Sequence, residues 1–354
     1  MELTTCYRMP AEWEPHAATW IAWPHYEGDW PGKFEPIPWV YAEIVRHLVA
    51  GENVHILVQS AALERRARRV LKDAMVSLRR VKFHHWPTDR VWTRDSAAIF
   101  VKQQARGKSG LGLMGWRFTG WAKYSNYKRD AQLPQRMAEY LRLALIKPAI
   151  HARGREQQIV LEGGSIDVNG RGTLMTTEEC LLSKVQERNP GMTRAQLEKL
   201  FAHYLGAHNV IWLGRGIAGD DTHGHVDDIA RFVNPTTVVA ASEHDPADIN
   251  YKPLRDNLRR LKKAKDQNGR RLRVLELPMP APVIFQGRRL PASYANFYIC
   301  NSAVLLPTFN DPNDRVALNV LTELFPARKI VPIYSGDFIW GFGAMHCMTQ
   351  QQPA

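Results

Sequence analysis

Two hydrophobic rhythms alternate along this chain. Apolar residues recur every three to four positions over 38–50, 61–75, 132–145, 194–205, 251–263 and 314–325. That spacing places an apolar stripe on one face of a helix. In the last stretch Val316, Val320, Leu321 and Leu324 share the stripe. Thr193 with Gln196 three positions on predicts a capping box at the start of the fourth. Between these stretches lie short apolar runs that read as strands: "NVHILV" (53–58), "SAAIFV" (96–101), "QQIVLEG" (157–163), "GTLMTT" (172–177), "NVIWLG" (209–214), "TTVVAAS" (236–242), "NSAVLLPT" (301–308) and "KIVPIY" (329–334). "DVNGRGT" has the composition of a hairpin turn. "ARGKSGLGLM" and "KDQNGRRLR" read as loops. Strands and helices therefore alternate throughout, as in an α/β fold. No long Pro/Gly/Ser linker divides the chain, so one domain over 1–354 is expected. Several units look alike, each a strand pair with one helix, though their sequences barely match.

Composition narrows the class. The chain has 354 residues, 45% hydrophobic and 23% charged, enough for a large core. No apolar run approaches the ~18 residues of a membrane-spanning helix. The start "MELTTCYRMPAEWEP" lacks a basic segment followed by an apolar one. Cys6, Cys180, Cys300 and Cys347 are far apart, with no CxxC, unlike a disulfide framework or a zinc finger. A cytoplasmic enzyme is the expectation. The net charge of +12 raises the question of nucleic acid. Its excess sits in "LERRARRVLKDAMVSLRR" and "LRRLKKAKDQNGRRLR", which read as solvated helix faces, and no nucleic-acid-binding motif accompanies them. No GxGxxG or GxxxxGK[ST] follows a strand, which disfavours dinucleotide and phosphate-loop sites.

Four segments concentrate chemistry: "DRVWTRDS" (89–96), "VLEGGSIDVNG" (160–170), "DDTHGHVDDIARF" (220–232) and "GAMHCMTQ" (343–350). On an extended backbone His225 and Asp227 would share a face. The plainer reading is a charged loop. A rival is a metal site from His223, His225 and Asp227, an HxHxD in which Asp228 replaces the last histidine of the metallo-β-lactamase-like pattern. Asp95 three residues after Trp92 suits a cation, which gains a charge from one and a π-face from the other. The plainer reading there is a surface pair with Arg94. Glu162 meets two glycines, in a close backbone approach or an exposed turn. Taken together, one thiol, one imidazole and three carboxylates point to nucleophilic catalysis. Three carboxylates oppose a thiolate unless the substrate is a cation. A planar guanidinium fits, held by two carboxylates with its central carbon towards the sulfur. His346 adjoins Cys347, but neighbours on an extended segment point to opposite faces, which favours His225 as the base.

With those residues in place, the sequence resembles the agmatine deiminase family, grouped with the bacterial peptidylarginine deiminases in the guanidine-modifying superfamily. The resemblance rests on "MPAEWEPHAATWIAWPH", "WPGKFEPIPWVYAEIVR", "WTRDS", "VLEGGSIDVNGRGTLMTTEECLLS", "NPGMTRAQLEKL", "DTHGHVDDIARFV", "SYANFYICNSAVLLPTFND" and "GAMHCMTQQQPA", in that order and nearly end to end. It implies a pentein α/β propeller of five ββαβ-like modules with pseudo-fivefold symmetry. It also implies hydrolysis of agmatine to N-carbamoylputrescine and ammonia, on the way to putrescine, with no metal or cofactor. Under it Cys347 is the nucleophile and carries a covalent S-alkylthiouronium. His225 is the general acid and base, and Glu162 pairs with it. Asp95 and Asp227 bind the guanidinium. Trp92 lines the channel. Asp221 lies where some members place a glutamate against the distal amine. The resemblance implies a small-molecule guanidine partner, neither nucleic acid nor membrane, and a homo-oligomer such as a dimer, for which the eleven tryptophans offer either interface or core. Peptidyl-arginine or another guanidine is the alternative substrate. The C-terminal segment is expected to be the last strand and loop of the fifth module.

Overall fold

The computed structural model describes residues 6–105, 108–152 and 154–354. Its strands form five sheets of three or four, with two short hairpins beside them. In the first sheet His16–Ala22 pairs antiparallel with Gln350–Pro353 and parallel with Asn53–Leu57, which continues to Val81–His84. The second orders Cys6–Arg8, Ile99–Ala105, Lys108–Met114 and Leu145–Ile146. The third, fourth and fifth repeat one plan. Each has an antiparallel pair, then a helical crossover to a parallel third strand. Their members are Asp167–Val168, Thr173–Thr177 and Asn209–Leu213; Ala230–Asn234, Thr237–Ser242 and Arg273–Pro278; and Tyr298–Ile299, Ala303–Thr308 and Lys329–Tyr334. A parallel neighbour requires such a crossover, so the alternating sequence and the mixed sheets are one fact. The middle strands Thr173–Thr177, Thr237–Ser242 and Ala303–Thr308 are buried at every residue. Covered on both faces, they read as continuous small and apolar runs.

Helix Arg194–Leu205 follows the expectation residue for residue. Both bonds of the Thr193–Gln196 capping box form, and the helix stops at Gly206 with φ 67°. A side chain at Gly206 would also strike the Tyr7 carbonyl, so only glycine serves there. "DVNGRGT" is the hairpin turn of the third sheet, with Asn169 Oδ1 accepting from the backbone N–H of Arg171 and Thr173.

Other expectations fail for physical reasons. The helix expected over 132–145 is Leu133–Leu141, ended by left-handed Arg142, and Leu145–Ile146 joins the second sheet. Most of "ARGKSGLGLM" is the strand Lys108–Met114; glycines at alternate positions hid its pleat. Strand His16–Ala22 had no alternation to reveal it, being buried at six of its seven residues. In helix Pro312–Leu324 the buried residues are Ala317 and Leu321, whereas Val316 is 46% exposed. The stripe is centred one position later than the bulky residues alone indicated. Only the start of "QQIVLEG" is strand, in the hairpin of Ala149–Ala152 with Arg155–Gln158.

The C-terminus belongs to the first sheet, not to the fifth. Gln350–Pro353 lies against His16–Ala22, Ala354 N–H donates to the Pro15 carbonyl, and Trp20 Nε1 donates to Gln352 Oε1. Trp20, Trp23 and Trp30 are core, packed with Trp92 and Cys347 in the largest apolar cluster; Trp39 alone of these N-terminal tryptophans is half exposed. No described helix is long and apolar enough to cross a membrane.

Candidate active site

Short turns, rather than strands, carry the reactive groups. Asp95 lies on the single helical turn Thr93–Ser96 that precedes the second sheet. Glu162 enters the turn Gly163–Ser165, and His225 enters the turn Val226–Asp228. Cys347 lies in the loop between Gly341 and the final strand. Tight turns project consecutive side chains into one small volume, which a pleated strand does not. Asp220 fixes the third turn by accepting from the backbone N–H of Gly224 and His225.

The turns converge on Gly164. A Cβ there would lie 2.6 Å from His225 Nδ1, 2.9 Å from Asp95 Oδ1 and 3.0 Å from Asp227 Oδ2. The missing side chain is the space in which an imidazole and two carboxylates meet. Gly164 N–H donates to Asp95 Oδ1, and Trp121 Nε1 donates to Asp95 Oδ2, each at 2.9 Å. Cys347 Sγ lies 3.6 Å from Asp227 Oδ2. Asp227 Oδ1 is buried without a hydrogen-bond partner, as are both ring nitrogens of His225. Orphaned buried polar atoms are costly, and here they belong to the two residues that meet at Gly164. Beside them lies a narrow cavity lined by Trp92, Asp95, Trp121, Tyr124, Asp221 and Cys347, among others. Trp92 is therefore a wall of this cavity.

Electrostatics splits the acids into two kinds. Burial opposes a charge on Glu162, but Arg188 at 3.0 Å outweighs it and holds the carboxyl down to about 2. Burial pushes Asp95 up, and so do Asp227 and Glu162. Burial and Asp227 together lift Asp228 well above the usual carboxylate range, so Asp228 keeps its proton and Asp227 does not. Burial disfavours a charged His225, yet Asp95, then Cys180 and Glu162, lift the imidazole well above its ordinary value. The Cys347 thiol is raised by burial first and then by Asp227, Asp228 and Asp95, so it is protonated before a cation arrives.

Glu162 hydrogen-bonds Arg188 and also pairs with His225, whose Nε2 lies 3.7 Å from its Oε2. Two expectations change. Val226–Asp228 is a turn, so His225 and Asp227 meet around Gly164 and not along a pleat. The loop around Cys347 is a turn as well, so His346 is not directed away from the site. Its Nδ1 lies 2.7 Å from Asp227 Oδ2 and its Nε2 2.8 Å from Glu12 Oε2. His346 thus bridges Asp227 and Glu12. The HxHxD residues do not assemble. His223 has φ 65° and contacts Ser183, and it is absent from both carboxylate–thiol clusters found among the described residues. Asp221 lines the cavity and is engaged by Lys123, Tyr124 and Arg288. Arg188, Trp121, Glu12 and Asn296 went unread because their partners are far along the chain.

Comparison with known proteins identifies the family. Residues 8–353 match the Porphyromonas-type peptidyl-arginine deiminase family. An agmatine deiminase of Pseudomonas aeruginosa is 34% identical over 371 residues, covering 98% of this chain and 96% of that protein. A solved agmatine deiminase of Enterococcus faecalis has 29% identity and a TM-score of 0.87, covering 100% of this chain and 98% of its own. A C. jejuni agmatine deiminase has 27% identity and a TM-score of 0.83, covering 99% and 97%.

Proposed function

The chain belongs to the Porphyromonas-type peptidyl-arginine deiminase family, and from that premise we propose that it hydrolyses agmatine to N-carbamoylputrescine and ammonia. The observation that carries this reading is the convergence of Asp95, His225 and Asp227 on Gly164, with the Cys347 sulfur 3.6 Å from Asp227. Two carboxylates that meet at Gly164 fit a guanidinium, and a sulfur beside them fits attack at its central carbon. The curated and structural relatives named as agmatine deiminases supply the choice of agmatine. The plan repeated in the third, fourth and fifth sheets supports the finer reading of a pentein propeller. The pairing of the two chain ends in one sheet supports a single domain.

The geometry gives each group a part. Asp95 and the free Oδ1 of Asp227 hold the guanidinium, and Trp92 and Trp121 wall it. The bound cation offsets the carboxylates that keep the thiol protonated, and the thiol proton leaves to solvent. Sulfur then bonds to the central carbon, giving a neutral tetrahedral adduct. His225, which carries a proton, gives it to the departing nitrogen. The C–N bond breaks, ammonia leaves, and an S-alkylthiouronium remains. His225 next takes a proton from water as oxygen bonds to the same carbon. The C–S bond breaks, the thiolate is restored, and the proton shed as the ureido group forms ends on ammonia as ammonium.

Ammonia release should be measured with agmatine, free arginine and a peptidyl-arginine substrate, using wild type and Cys347→Ser. Agmatine is expected to be deiminated fastest, and the variant to be inactive. Fastest turnover of peptidyl-arginine would replace the substrate, and an active Cys347→Ser would end the covalent route.

A further inference from the structure

Asn296 makes the shortest hydrogen bond to the Cys347 sulfur among the described residues. Its Nδ2 is 3.0 Å from Sγ and 2.9 Å from Asp228 Oδ1. An amide nitrogen has two hydrogens, one for each. The other end of the amide faces backbone donors: Oδ1 accepts from His346 N–H at 3.1 Å and Cys347 N–H at 3.3 Å. The reverse orientation would set Nδ2 against two backbone N–H groups, so the network admits one assignment. Asn296 is 1% exposed, in "SYANF". Two residues before Ala295, Ser293 braces the loop by donating to the Asp228 carbonyl and accepting from Ala295 N–H.

The setting makes this donor matter. Burial first, and then Asp227, Asp228 and Asp95, oppose a charge on the sulfur. The thiol hydrogen points to Asp227 Oδ2, so the Asn296 N–H meets a sulfur lone pair and stays in place when the thiol hydrogen leaves. A hydrogen bond to a charged acceptor is roughly twice as strong as to a neutral one. The contact therefore strengthens as the thiolate forms and weakens when sulfur bonds to carbon.

We propose that Asn296 is a catalytic residue, its amide N–H holding the Cys347 sulfur as thiolate while its carbonyl fixes the loop that carries the cysteine. The proposal rests on Cys347 being the nucleophile. Asn296→Asp keeps the shape and the acceptor for both backbone N–H groups but replaces the donor to sulfur by an oxygen. In the folded variant kcat for agmatine should fall about 10- to 100-fold, the cost of losing a hydrogen bond to a charged group, with KM within about twofold. The pH profile of Cys347 alkylation by iodoacetamide should move up by at least about one unit, the same tenfold read as acidity. A purely structural role would leave that profile in place. Circular dichroism checks the fold, and if Asn296→Asp does not fold, Asn296→Ala is judged by the same two readouts. Unchanged kcat or an unshifted alkylation profile in a folded variant overturns the assignment. If Cys347→Ala is dead while Asn296→Asp is fully active, only the role of Asn296 falls; an active Cys347→Ala removes the nucleophile reading itself.

Discussion

Replacing Glu162 by glutamine tests the electrostatic argument at its strongest point. Glu162 and Arg188 are both 0% exposed, and their charges meet at 3.0 and 3.3 Å. The remaining guanidinium donors reach only the carbonyls of Gln186 and Thr222. Glutamine has the same volume but leaves Arg188 as a buried charge without its counter-ion. Two routes give the cost. Removing one partner of a buried pair destabilises by roughly 3–5 kcal/mol. A carboxyl held from 4.5 down to about 2 corresponds to ~3 kcal/mol at neutral pH. Because the folded value is depressed, that stability is complete above about 4.5 and is lost as pH falls through 2. Urea unfolding at pH 7 should show Glu162→Gln less stable by ~3 kcal/mol. The gap should close as the pH is taken down towards 3. Glu162→Gln with Arg188→Met should cost less than the sum of the two single changes. A pH 7 gap below about 1 kcal/mol, or one that stays constant down to pH 3, would refute the reasoning. The same variant removes one of the carboxylates that keep His225 charged, so the high-pH decline of kcat should begin at lower pH.

Further changes probe the rest of the site. Gly164→Ala would put a methyl where His225, Asp95 and Asp227 meet, and kcat/KM should fall at least about 100-fold; near-normal activity would contradict the convergence. Deleting 350–354 leaves Cys347 in the chain but removes the strand paired with His16–Ala22 and the Gln351 acceptor of Arg94. Thermal unfolding should move several degrees lower and ammonia release should be lost, whereas wild-type turnover would show that the end does not position the sulfur. Arg288→Met should lower the agmatine KM by about two- to fivefold with kcat unchanged, because a tail ammonium must otherwise compete for Asp221. A raised KM would mean that Arg288 holds Asp221 in its receiving position.

What could be read from the sequence, and what could not, divides along one physical line. The reactive types, Cys347, His225 and the three carboxylates, stand out because their chemistry is unusual beside glycines and short polar turns. The cationic substrate follows from their charge alone. Orientation depends on backbone form, and there the inference failed twice. His225 and Asp227 were placed by a pleat that Val226–Asp228 does not have, and His346 was dismissed by the same assumption. A turn brings neighbours together where a strand separates them. The supporting residues fail for a different reason. Asn296 reaches Cys347 across 51 positions, Arg188 reaches Glu162 across 26, and Trp121 reaches Asp95 across 26. Each is an ordinary residue whose importance lies wholly in its partner, and no local pattern encodes the pairing. The C-terminal strand combines both failures. "QQQP" has no apolar rhythm, yet it is held by pairing with a segment more than 300 positions away. The thiol near the chain end is thus fixed by the N-terminal sheet, which makes the order of that sheet a condition for attack.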